Sequence, residues 1–244
     1  MFVTEAGNGV VQSSDGGYGL RVPFASQSAY SNAQITSYRS KHEFQYQPPV
    51  RLTLRAKAMG ALQGTAGFGF WNHPFAPGER GVRLPRAAWF FHASDHSNMA
   101  LAKDQPGSGW KAATFDATGW QFLSLVPLAP IGVLLMRIPL LYRRLWPIGQ
   151  RAIGVSERHL DRSMLGETHH YGIVWEAERV IFMVDDAVIH ECAFAIAGPL
   201  GFIAWVDNQY AVVTPQGRFG FGLVEARDMQ GLAVEDIRIE QLLR

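Results

Sequence analysis

The sequence predicts an all-β protein built as two antiparallel sheets packed face to face, and three observations carry that prediction. One is a period of two: Val50, Leu52, Leu54, Ala56 and Ala58 alternate with Arg51, Thr53, Arg55 and Lys57. Such a run is a strand with one buried face. Another is hairpin spacing. Tyr171-Gly-Ile-Val-Trp175 and Val180-Ile-Phe-Met-Val184 flank the polar break Glu176-Ala-Glu-Arg179, and Asp185-Asp186 then turns the chain into Ala187-Val-Ile-His190. The third is composition: 25 glycines and 13 prolines in 244 residues supply turns for many short strands, and 48% hydrophobic residues supply a core.

Taken in order, residues 1–115 hold β-type runs such as Ala33-Gln-Ile-Thr-Ser-Tyr38 and Val50 to Met59. Pro48-Pro49 stops any helix before the second of these. Residues 169–243 return to strands. The last run alternates Ile237, Ile239 and Gln241 against Arg238, Glu240 and Leu242. Trp175 and Phe182 are expected inside, with the first and last strands as neighbours. The stretch 119–165 breaks the pattern and reads as an apolar, proline-containing insertion within one domain spanning 1–244. No internal repeat is visible.

Charge and motifs exclude several functions. Twenty-two basic and 21 acidic residues give a net charge of +1, so no global attraction to nucleic acid is expected. Cys192 is alone, which rules out an internal disulfide; beside Ala193 and Phe194 it is expected to be a buried thiol. His92 and His96 stand four apart around Asp95, a spacing that converges on a helix but not on a strand, so no metal is expected. Gly64-Thr-Ala-Gly-Phe-Gly69 lacks the lysine and helix of a phosphate loop, and no cofactor is expected. Met1-Phe-Val-Thr-Glu-Ala-Gly shows no leader, so a cytoplasmic location is expected.

The order of the strands resembles the family-16 glycoside hydrolases within the concanavalin A-like lectin/glucanase group. Tyr30-Ser-Asn-Ala-Gln-Ile-Thr-Ser37 is similar to one of that family's strands. So are the pair Val50-Arg-Leu-Thr-Leu-Arg-Ala-Lys57 and Gly64-Thr-Ala-Gly-Phe-Gly-Phe-Trp71, the run from His169-His-Tyr-Gly-Ile-Val-Trp175 to Val184-Asp-Asp186, and the closing Ala233-Val-Glu-Asp-Ile-Arg-Ile-Glu240. Together they cover roughly two thirds of the chain. The resemblance implies a concanavalin A-like jelly-roll sandwich whose concave sheet binds a glycan. It also implies where the chain departs. The family hydrolyses through a Glu-x-Asp-x-x-Glu strand, whose carboxylates must lie about 5–5.5 Å apart for retaining chemistry. By order that strand is Pro85-Arg-Ala-Ala-Trp-Phe-Phe-His-Ala-Ser94, which contains no carboxylate.

The candidate site follows from the same alignment of strands. Trp71, Asn72 and His73 end the glycine-rich strand; Trp89 and His92 lie on the would-be catalytic one; Trp205, Asp207 and Asn208 run from a strand into a loop. Indole rings stack on the apolar faces of sugars while Asn, Asp and His fix hydroxyls. The first reading is therefore a binding module for a glycan, or for another small apolar or hydroxyl-bearing ligand, held by Trp71, Trp89 and Trp205. The second is a glycoside hydrolase-like enzyme with a remodelled site, using His92 with Asp95 or Asp207. The third concerns residues 122–145. Pro127, Pro130, Pro139, Gly132 and Arg137 argue against one continuous membrane helix. The segment is then a clasp packed on the sandwich, a groove wall or lid, or an apolar lobe. In the last form Leu134, Leu135, Arg137, Arg143 and Arg144 suit peripheral contact with anionic headgroups. The sequence says nothing of oligomeric state.

Overall fold

The computed structural model describes residues 1–74, 83–194 and 196–242. Its strands are β1 (Phe2–Ala6), β2 (Val10–Ser14), β3 (Gly17–Val22), β4 (Asn32–Thr36), β5 (Val50–Met59), β6 (Thr65–Trp71), β7 (Arg86–Ala93) and β8 (Gly109–Asp116). Three helices follow, α1 (Trp120–Leu125), α2 (Ala129–Met136) and α3 (Pro139–Ala152). The chain then returns to strands: β9 (Ser156–Leu160), β10 (His169–Trp175), β11 (Val180–Val184), β12 (Ala187–Cys192), β13 (Gly201–Asp207), β14 (Gln209–Val213), β15 (Phe219–Leu223) and β16 (Gln230–Gln241).

Two seven-stranded sheets form the sandwich. Sheet A has the order β1-β4-β13-β6-β7-β8-β9, and sheet B the order β12-β11-β10-β5-β16-β3-β2. β14 and β15 form a separate hairpin. Alternation does what it predicted: in β5 the even-numbered residues from Val50 to Ala56 are buried and the arginines are exposed. The core is aromatic. Phe90 of sheet A meets Tyr171 and Phe182 of sheet B at centroid distances of 4.9 and 5.4 Å, and Phe70 meets Trp175 at 5.6 Å. The two Phe90 contacts are edge-on, a geometry that adds to simple burial. Trp175 and Phe182 are fully enclosed, as expected.

The chain ends do not meet on neighbouring strands. β1 edges sheet A beside β4, while β16 lies inside sheet B between β5 and β3. The difference follows from side chains, since β1 offers almost no buried face whereas Leu232 and Val234 of β16 are enclosed.

The prolines of the apolar stretch punctuate helices. Pro130 and Pro139 stand in the first turns of α2 and α3, where a missing N–H removes no helical bond. No helix among the described residues is long and apolar enough to cross a membrane. A clasp that buries its leucines is not what forms: Leu123, Leu128, Leu134 and Leu140 are exposed, and Met136 and Ala152 are the buried residues of α2 and α3.

Candidate functional site

β7 alternates without a bulge, which settles its two faces. Ala88 and Phe90 join the core, so Ala87, Trp89, Phe91 and Ala93 face outward. Register carries that face across sheet A. Trp89 pairs with Gly69 and Phe91 with Gly67 on β6, and Gly67 in turn pairs with Trp205 on β13. Four rings gather there. Trp89 lies 5.5 Å from Trp71, 5.4 Å from Trp205 and 5.3 Å from Phe91 between centroids. His73 stacks on Trp71 at 4.8 Å, and its Nδ1 shares a hydrogen bond of 3.1 Å with the Tyr38 hydroxyl.

Two glycines make this crowding feasible. A Cβ on Gly67 would stand 2.9 Å from the Trp205 ring and 2.3 Å from the Phe90 carbonyl oxygen. One on Gly69, whose φ is +152°, would stand 2.6 Å from the Trp89 Cα. Glycine at these two positions of β6, between Thr65 and Trp71 on the same face, lets the Trp89 and Trp205 indoles from the neighbouring strands lean over it. Trp71, Trp89 and Phe91 are partly exposed, while Trp205 retains only 6% of its surface. The Trp71 indole N–H is buried and finds no acceptor among the described residues.

Asp207 fixes the end of this face. Its carboxylate accepts bonds from the Thr65 amide and hydroxyl and from the Gln209 amide, at 3.1, 2.8 and 3.0 Å. The Trp205 indole donates to the Thr65 hydroxyl at 3.0 Å. Burial raises the Asp207 pKa to about 6 despite these donors, and burial with the charge of Asp207 raises that of Tyr30. Thr65 gave no signal in the sequence beyond its place before the glycines.

Several expected ligand residues have other work. His92 shares the parity of Phe90, so it faces the sandwich interior and not the ring cluster. It is 5% exposed, its Nε2 bonds the Leu62 carbonyl at 3.3 Å, and burial lowers its pKa to about 4. Asp95 lies in the loop after β7, exposed and paired with Arg162, so His92 and Asp95 form no acid–base pair. Asn72 braces a loop, donating to the Leu84 carbonyl and accepting from the Arg86 amide, each at 2.9 Å. Asn208 is fully buried. Its amide donates to the carbonyls of Ser26, Ala29 and Val224 while its oxygen accepts from the Ser31 amide. Both asparagines are positioning residues for backbone.

The other half of the outward face is roofed. The segment 97–105 bridges to β14 through Asn98 and Val212, and to α3 through a Trp146 indole bond to the Leu101 carbonyl at 2.7 Å. Beneath it Lys111 pairs with Glu157 at 3.1 Å, both nearly enclosed, and burial raises the Glu157 pKa against the pull of Lys111. This ion pair was not legible in the sequence, although a lysine between Trp110 and Ala112 was its visible trace. Asp207 and Glu157 lie on β13 and β9, four strand spacings apart, or roughly 19 Å across the sheet at ~4.8 Å per spacing. That exceeds the ~5–5.5 Å of a retaining pair and the ~6.5–9.5 Å of an inverting one. Among the described residues no group of His, Cys, Asp and Glu could hold a metal ion.

No family model and no curated protein matches the chain. Solved structures do. One, from work on endo-acting O-glycanases that prominent members of the human gut microbiota express to initiate mucin breakdown, superposes with a TM-score of 0.51 at 12% identity, over 95% of this chain and 82% of that one. A GlcNAcα1-4Gal-releasing endo-β-galactosidase from Clostridium perfringens gives 0.51 at 10% identity, over 95% of this chain and 56% of that one. A mixed-linkage-glucan GH16 protein of Bacteroides ovatus, in complex with its G4G4G3G product, gives 0.46 at 8% identity, over 96% and 85%. At these identities the likeness is one of fold alone, a jelly-roll sandwich of two antiparallel sheets.

Proposed function

We propose that the outward face of sheet A binds a glycan, or another hydroxyl-bearing ligand with a flat apolar face, without hydrolysing it. The observation that carries this reading is the cluster of Trp71, Trp89, Phe91 and Trp205 over the side-chain-free floor of Gly67 and Gly69. Partly exposed rings offer stacking surface, and the Trp71 N–H, unpartnered among the described residues, offers a donor for a hydroxyl oxygen. The two buried carboxylates lie too far apart to act on one glycosidic bond. The fold shared with glycan-processing enzymes supports the ligand class.

A stacked ring contributes on the order of 1–3 kcal/mol on aromatic platforms. Trp89→Ala should therefore weaken binding by roughly 5- to 150-fold at unchanged folding. Affinity electrophoresis in laminarin, mixed-linkage glucan and mucin-type glycans measures it. Retardation of the parent in none of these gels, or equal retardation of the variant, would overturn the reading.

A further inference from the structure

We propose that α1–α3 and the β14–β15 hairpin form one surface that docks onto an anionic lipid bilayer by shallow insertion. This inference does not rest on the glycan reading. It starts from what the helices leave uncovered. Trp120, Leu128, Ile131, Leu134, Leu140 and Ile148 are between 57% and 73% exposed. Monomeric proteins rarely leave so much apolar surface to water. The hairpin adds Phe219 and Phe221, 74% and 68% exposed, two residues apart and so on one face of β15. It is tied to the helices: a Cβ on Gly217 would stand 2.4 Å from Val133 of α2, and Arg137 donates to the Gln216 carbonyl at 3.4 Å.

Charge identifies the occupant. Residues 119–152 and 209–223 hold Arg137, Arg143, Arg144, Arg151 and Arg218 and not one Asp or Glu, although the chain has 21 of those. All five arginines are exposed. The remainder of the molecule therefore carries an acidic excess, and an anionic surface would both attract this lobe and turn it inward. A water-facing protein partner of ordinary composition would not select for such one-sidedness. The arrangement within α3 matches the proposal. Leu140, Arg144, Ile148 and Arg151 follow at steps of four, four and three, which puts them on one helix face. Leucine and isoleucine interleaved with arginine let apolar groups enter the acyl boundary while guanidinium groups stay among phosphates. A cleft of about 670 Å³ between α1 and α3, lined in part by Trp120, Leu125, Ile148 and Phe194, continues the apolar surface inward.

Sucrose-loaded vesicles of phosphatidylcholine with 30% phosphatidylglycerol, sedimented with the protein in 0.1 M salt, test the docking. The expected result is that most of the protein pellets with these vesicles and at least tenfold less with pure phosphatidylcholine or in 0.5 M salt. Ile131→Asp with Leu134→Asp, and separately Arg143→Glu with Arg144→Glu, should each reduce binding at least tenfold. All four sites are at the surface, so folding should survive, as circular dichroism checks. Brominated lipid should quench the parent's emission more than that of Trp120→Phe. No pelleting of the parent, or pelleting unchanged by both double variants, would overturn the proposal. So would a dimer in sedimentation equilibrium that Ile131→Asp/Leu134→Asp dissolves, because the lobe would then be covered by a second copy.

Discussion

Asp207 and His92 are both buried in sheet A on opposite faces, and burial moves them in opposite directions. Asp207 titrates near 6 when folded, above the ordinary carboxylate value of 3.8. Between those values the folded state holds more protons than the unfolded one, so stability falls as pH rises from about 4 to 6. His92 titrates near 4 when folded, below the ordinary 6.5. Across that window the unfolded state holds more protons, and stability rises with pH. The two slopes oppose each other in the parent protein. Asp207→Asn should expose the rise and His92→Gln the fall, read as urea midpoints at pH 4.5, 5.5 and 6.5. Equal slopes in all three proteins would show that neither group is shifted. Residue-level behaviour of this sort was the least legible part of the sequence. Asp207 and Asn208 read there as hydroxyl-fixing residues where a strand runs into a loop, and only the approach of Thr65 from across the sheet reveals an enclosed carboxylate.

Elements were far more legible, because period-two patterning is a local signal. The run from Val50 to Met59 and that from Val180 to Val184 are strands with those bounds. What a strand cannot show alone is which face meets the core, and Trp89 was placed outward only by the contact of Phe90 with Tyr171. β16 shows a different limit. Leu232 and Val234 face the core, and so do Ile237 and Ile239, although their parity differs. The register shifts between Glu235 and Arg238, and Asp236 adopts φ 52°. An extra residue in the strand restores the apolar face after a break, which alternation by itself would not reveal. The carboxylate-free face of β7 yields a prediction at this scale. Incubation with laminarin or lichenan should release no reducing sugar above a boiled control, since β7 supplies no carboxylate to serve as the nucleophile or the acid/base of the two-step mechanism. Release abolished by mutating one carboxylate would refute this.

At the scale of the molecule, sheets A and B share one aromatic core, so neither has an apolar face to bury without the other. Heat or urea should therefore unfold the chain in a single transition, with tryptophan emission and far-ultraviolet dichroism coincident. Two separated transitions would mean that the helical lobe or one sheet stands alone. The sandwich was legible as a whole because many short patterns agreed, whereas the helices of 120–152 were not, since an apolar run carries little period of its own. The position of β16 has a consequence for how the protein is made. A ribosome delivers β3 and β5 early, yet the strand that belongs between them is drawn from residues 230–241. Until those residues emerge, both strands present bare hydrogen-bonding edges to their surroundings or to each other's copies on neighbouring ribosomes. A nascent chain halted at residue 225 should accordingly remain protease-sensitive and bound by holdase chaperones, and the last dozen strand residues act as the closing stitch of the fold.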